Sequence, residues 1–120
     1  MMKPKTFFHE LTHFTLAVID EDGKPWAVPV SAQLIEGRAV EWFSKTNTVH
    51  SRAIARSPEV MLSAFSTKGD PSGAFGLFMR AEAKKVMTLP GVGRYRAEVY
   101  EAWYTDERHK KTNIAIEELA

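Results

Sequence analysis

Alternation of apolar and polar residues is the dominant pattern along this chain. Phe14–Asp20 and Pro25–Leu34 are both rich in β-branched and aromatic residues, and the Asp22-Gly23 pair between them predicts a β-hairpin. In the second stretch Trp26, Val28, Val30, Ala32 and Leu34 share one face, with Ala27, Pro29, Ser31 and Gln33 on the other. That is the pattern of a strand with one buried side. Pro29 has no backbone donor and belongs at a sheet edge or a bulge. Glu36-Gly37 marks a second tight turn, into a third strand over Arg38–Phe43.

The period then changes. Over Asn47–Ser57 the residues Val49, Ala53 and Ile54 fall on one side, the spacing of a short amphipathic helix. Asn47 or Thr48 would cap its start, and Ser57-Pro58 would end it. Val60–Phe65 reads as a fourth strand. A loop at Lys68–Gly73 leads into a long fifth strand, where Phe75, Leu77, Met79, Ala81 and Ala83 alternate with Gly76, Phe78, Arg80, Glu82 and Lys84. After the break at Leu89–Gly93, Tyr95, Val99, Ala102 and Trp103 recur at helical spacing, although their aromatic content also suits a strand. The expectation is a single domain over residues 1–120: a helical lead-in at 5–13, a barrel or curled sheet over about 14–88, and a helix or tail over 94–120. The fold class is mainly β with short helices.

Composition removes several function classes. With 16 Lys and Arg against 15 Asp and Glu, the net charge of +1 supplies no global field for nucleic acid or an anionic membrane. There is no cysteine, which excludes disulfides, thiolate zinc sites and cysteine nucleophiles and fits a reducing cytoplasm. No stretch approaches the roughly 18 uninterrupted apolar residues of a membrane span. Residues 6–15 carry His9, Glu10 and His13 where a secretory leader has an apolar run. The expectation is a soluble cytoplasmic protein with no nucleic-acid or membrane partner.

Candidate chemistry concentrates in Ser44-Lys45-Thr46-Asn47-Thr48-Val49-His50-Ser51-Arg52, where a strand ends and a helix begins. Free N–H groups and the positive end of a helix dipole converge there, as in a phosphate pocket. Arg52 suits a bidentate grip on phosphate, with hydroxyls of Ser44, Thr46 and Ser51 donating beside it. The competing reading is a capped surface helix whose polar residues face water. No glycine-rich dinucleotide motif is present, so a mononucleotide suits the chain better than a Rossmann cofactor. Trp26, Trp42 and Phe43 are candidates to line a slot for a planar ring, or else belong to core or interface.

The order Gly23-x-Pro25-x-x-x-Pro29-x-Ser31, then Glu41-Trp42-Phe43-Ser44, then His50-x-x-x-Ile54-x-x-Ser57-Pro58-x-Val60, then Phe75–Val86, resembles the flavin-binding split barrels of the pyridoxamine phosphate oxidase-like superfamily. The resemblance runs from about Phe14 to Val86. It implies a six-stranded split β-barrel, a homodimer with FMN at the subunit interface, and flavin-dependent oxidoreduction of a small molecule. By the resemblance, Pro29, Val30 and Ser31 border the isoalloxazine ring, and Ser44, Lys45, Thr46, His50, Ser51 and Arg52 surround the phosphate. Arg80 would approach the flavin from the long strand. Two positions depart from the pattern: His50 stands where the family most often has lysine, and Ser57 where it has asparagine. A histidine there grips phosphate more weakly and in a pH-dependent way. The determinants of pyridoxamine phosphate binding have no counterparts, and no catalytic residue is singled out.

Within the same fold the alternatives are a haem or deazaflavin ligand, or an electron-transfer module without its own substrate. His9, His13 or His50 as an axial ligand would mark the haem case. Other polar groups carry less. His9 and His13 would share a helix face as a metal pair, but no third ligand accompanies them, so no metal is expected. Asp20, Glu21 and Asp22 read as turn chemistry. Glu98 and Glu101 would share a helix face as general bases, on spacing alone. Basic and aromatic residues between Arg94 and Lys111 are interrupted by Glu98, Glu101, Asp106 and Glu107, which favours a solvated face over a nucleic-acid surface.

Overall fold

The computed structural model describes residues 3–66, 75–106, 108 and 110–120, and the loop expected at 68–73 lies outside these. The elements in order are α1 (Pro4–His9), β1 (His13–Ile19), β2 (Pro25–Ser31), β3 (Leu34–Glu36), β4 (Ala39–Lys45), α2 (Val49–Arg56), β5 (Glu59–Ser66), β6 (Phe75–Leu89), β7 (Val92–Thr105), β8 (Lys111–Ile114) and a closing 3-10 turn, Ile116–Glu118. All strands belong to one antiparallel sheet of eight, in the order β2-β1-β5-β6-β7-β4-β3, with β8 beside the far end of β7. The sheet curls until β2 meets β4, and α2 closes one end against β1, β2 and β6. The mainly β expectation and its split-barrel form hold, with β3 and β8 as short additions to six longer strands.

Both hairpin turns fall where the sequence puts them. Gly23 sits at φ 75° between β1 and β2, a left-handed conformation that a residue with a Cβ adopts only with strain. Along β6 the expected inward set, Phe75, Leu77, Met79, Ala81 and Ala83, is buried throughout. These side chains meet Leu16, Leu62, Val40 and Val99 in the core. Trp42 is fully buried there, stacked on Tyr95 at 6.0 Å and edge-on to Phe14 at 5.7 Å, so it is core and lines no ligand slot.

Three expectations change. The expected carboxy-terminal helix is a strand, β7, followed by β8. Its buried hydrophobic residues are Tyr95, Ala97 and Val99, then Ala102 and Tyr104. Arg80 pairs with Glu101 but Ala81 pairs with Val99, leaving Tyr100 as a bulge that switches the inward parity. The step of three from Val99 to Ala102 mimics a helical interval. Glu98 and Glu101 are therefore on a bulged strand, not on a helix face.

Second, the apolar face expected over Pro25–Leu34 is covered only in its middle: Val30 is buried and Val28 and Ala32 pack against the core, while Trp26 is 45% exposed and Leu34 lies beyond the strand end in β3. β2 ends the sheet and pairs only with β1, so little packs on its outer half. Pro29 sits, as expected, on this edge strand. Third, the lead-in helix stops at His9, and His13 opens β1, so the two histidines share no helix face. His9 Nε2 instead contacts the Leu119 carbonyl, tying α1 to the carboxy terminus. No helix among the described residues is long and apolar enough to cross a membrane.

Candidate functional site

The junction from β4 to α2 is held by its own hydroxyls. Thr48 is extended and caps α2, its side-chain oxygen accepting from the Ser51 N–H at 3.2 Å. Ser51 is buried and donates its hydroxyl to the Lys45 carbonyl at 2.7 Å, and the Thr48 hydroxyl lies 2.8 Å from Ser51 Oγ. In the same first turn, His50 is buried with Nε2 2.9 Å from Ser44 Oγ. Burial pushes the His50 imidazole below its ordinary pKa of 6.5, so at neutral pH it is uncharged. In this geometry His50 and Ser44 brace the junction, and His50 adds no positive charge to it.

Positive charge comes from its neighbours. Lys45 is exposed on the outer side of the turn and Thr46 is half-buried. The Thr46 N–H donates to the Gly91 carbonyl in the β6–β7 turn at 3.2 Å. Arg52 leaves α2 half-exposed and pairs with Glu21 of the β1–β2 turn at 3.0 Å, with Arg56 3.9 Å from the same carboxylate oxygen. Thr46, Ser51 and Arg52 line one cavity of about 370 Å³ between α2 and β6.

β2 supplies a second element. The Ala32 N–H bonds to the Thr12 carbonyl and the Asp20 N–H to the Lys24 carbonyl, which fixes the antiparallel ladder between β1 and β2. In that ladder residues 27, 29 and 31 direct their main-chain groups away from β1, off the edge of the sheet. Pro29 has only a carbonyl to offer, so the free donors are the N–H groups of Ala27 and Ser31. Val30 points inward to the core, and Pro29 and Ser31 are exposed. The site region thus combines edge donors on β2 with a cavity of about 370 Å³ beside α2.

Arg80 stands apart. Its guanidinium is 2.9 Å from Glu101 and 5.1 Å from the Trp103 ring. Ser44 shares its row with Gly93 and Thr88, eight residues further along β6, a separation of about 26 Å at strand rise. Within one chain the structure therefore does not bring Arg80 to Ser44 or the start of α2.

Sequence reading passed over two features. Glu41 is buried in β4 between Arg94 at 3.1 Å and Arg96 at 2.8 Å, on the outer face of the sheet. The alternation of β4 and β7 would have paired them had β7 been read as a strand. The second is Tyr95 with Lys85, adjacent across β6 and β7 and both lining the cavity beneath α2.

No family profile matches the sequence, and no curated protein shows significant similarity to it. Solved structures are similar in fold. A haem-binding protein from Mycobacterium smegmatis superposes with a TM-score of 0.82 at 16% identity, over 97% of this chain and 57% of its own. This chain thus spans little more than half of that protein. A protein of the pyridoxinephosphate oxidase family from Clostridium acetobutylicum, related to general stress protein 26, gives 0.73 at 11% identity over 91% and 89% of the two chains. An FAD-binding protein from Mesorhizobium loti gives 0.67 at 13% identity over 79% and 86%. The chain has the split-barrel fold of the pyridoxamine phosphate oxidase-like proteins.

Proposed function

We propose that this chain binds FMN and works as a flavin-dependent oxidoreductase on a small molecule, as a homodimer with the flavin at the subunit interface. The observation that carries the reading is the free edge of β2 in a strand that contacts α2, whose start is lined by hydroxyls. The Ala27 and Ser31 N–H groups would donate to the polar rim of the ring, with Pro29 and Val30 setting the strand that bears them. Lys45, Thr46 and Arg52 would hold the phosphate, while Ser44, His50 and Ser51 keep the turn in shape. A bound flavin supplies hydride transfer itself, so no side chain is required as acid or base. The fold likeness to an FAD-binding protein supports this reading.

Likeness to a haem-binding protein favours haem as the second reading. Of the histidines considered as axial ligands, His13 is exposed, whereas His50 is buried against Ser44 and His9 is held at Leu119. Titration of the protein into FMN, followed by quenching of flavin fluorescence, tests the proposal. Saturable quenching, weakened about tenfold in Arg52→Ala by loss of one charge-assisted contact, is expected. Absence of quenching together with a Soret band on adding haem would replace flavin by haem.

A further inference from the structure

The outer face of β6 and β7 carries its charges in rows of one sign. Glu82 lies opposite Glu59 of β5 and Glu98 of β7, and Lys84 lies opposite Arg96. Like charges directly opposite each other across a sheet are unfavourable, so each row needs counter-charges. Glu59 accepts from the Tyr100 hydroxyl at 2.6 Å, Glu98 is 3.5 Å from Arg38, and Arg96 bonds to Glu41 at 2.8 Å. Glu82 and Lys84 are left without an ion pair or a side-chain hydrogen bond among the described residues. They follow each other on one face of β6, about 7 Å apart at strand rise. Both line a cavity of about 340 Å³, together with Arg38, Pro58, Glu98 and Tyr100. Tyr100 is the bulge residue of β7, and its bond to Glu59 fixes the ring as part of the wall. Main-chain bonds from Ala83 to the Pro58 carbonyl and from Val99 to the Arg38 carbonyl, at 2.8 and 3.0 Å, hold the walls in place.

We propose that this cavity binds a free amino acid with an apolar or aromatic side chain, its ammonium at Glu82 and Glu98 and its carboxylate at Lys84. No three acidic or histidine side chains among the described residues converge as metal ligands, so the carboxylates call for an organic cation. A simple amine would answer Glu82 and leave Lys84 alone, and a simple anion would answer Lys84 and oppose Glu82. A zwitterion serves both. Its two charged groups, each about 2.8 Å from its partner, span the interval between the two side chains. Pro58 and the Tyr100 ring offer an apolar surface to the rest of the molecule. The volume lies at the small end of the range for ligand pockets, which suits a single amino acid better than a peptide. The inference uses none of the groups that the flavin reading assigns, so it stands or falls without that reading.

Titration of the full chain with L-phenylalanine, followed by amide NMR, tests it. Saturable shifts at Glu82, Lys84, Glu98 and Tyr100 are expected. Phenethylamine, which lacks the carboxylate, and 3-phenylpropionate, which lacks the ammonium, should each bind at least about tenfold more weakly. Glu82 and Lys84 are both exposed, so Glu82→Gln and Lys84→Gln keep the fold, which their amide spectra check. Each variant should bind L-phenylalanine at least about fivefold more weakly than the wild type. Absence of saturable shifts with L-phenylalanine overturns the proposal. So does binding of either comparator as tight as that of the amino acid, or wild-type affinity in either variant.

Discussion

The His50 imidazole lies 2.9 Å from the Ser44 hydroxyl, joining the first turn of α2 to the end of β4. A lysine at position 50 would point a charge at an anion. The histidine is instead buried and neutral, and it spends its ring nitrogen on the protein's own hydroxyl. Ser44→Ala leaves that nitrogen with only a 3.4 Å contact to Thr48. A loss of about 1–3 kcal/mol is expected, the cost of a buried polar atom without a good partner, read from urea unfolding. An unchanged midpoint would show that the bond holds nothing.

His50 also sets a pH dependence. Its folded-state pKa is depressed by burial, so the unfolded chain binds the proton more readily. The stability it contributes is complete above pH 6.5 and is lost as pH falls through the folded value. Imidazole NMR should give a midpoint for His50 below 6.5. A midpoint above 6.5 would mean that a negative charge faces the ring.

How far the sequence discloses this fold depends on parity. In β6 the alternation from Phe75 to Ala83 is unbroken, and reading it yields the buried face without error. In β7 the Tyr100 bulge shifts the inward set by one, and a two-residue period then looks helical. Trp26 misleads for another reason: a strand at the end of a sheet shows the same alternation whether or not anything covers it. At the β4–α2 junction the cap was legible because Thr48 acts locally. That Lys85 and Tyr95 line the cavity with Ser51 was not, since it depends on pairings between distant strands.

Gly93 is the glycine whose replacement should matter most for packing. The methyl of Gly93→Ala would sit within 3 Å of the Tyr95 ring, which is stacked on the buried Trp42. A destabilisation of about 1–3 kcal/mol from overpacking is expected, with Trp42 fluorescence shifted as the stack moves. Stability equal to wild type would mean that Tyr95 can move aside.

Glu41 bridges Arg94 and Arg96 from a buried position, but both guanidiniums reach water. Glu41→Ala should therefore cost about 1–3 kcal/mol, less than the roughly 3–5 expected for breaking a fully buried pair. Because water can screen both arginines, the loss should shrink in high salt. A loss independent of salt would point to packing instead of charge.

The most direct test of the flavin assignment is the absorption spectrum of freshly purified protein, followed by addition of FMN if it is colourless. Bands of oxidised flavin, with FMN released on denaturation, or uptake of added FMN to one equivalent per chain, are the expected result. A colourless protein that leaves added FMN free in solution would contradict the account.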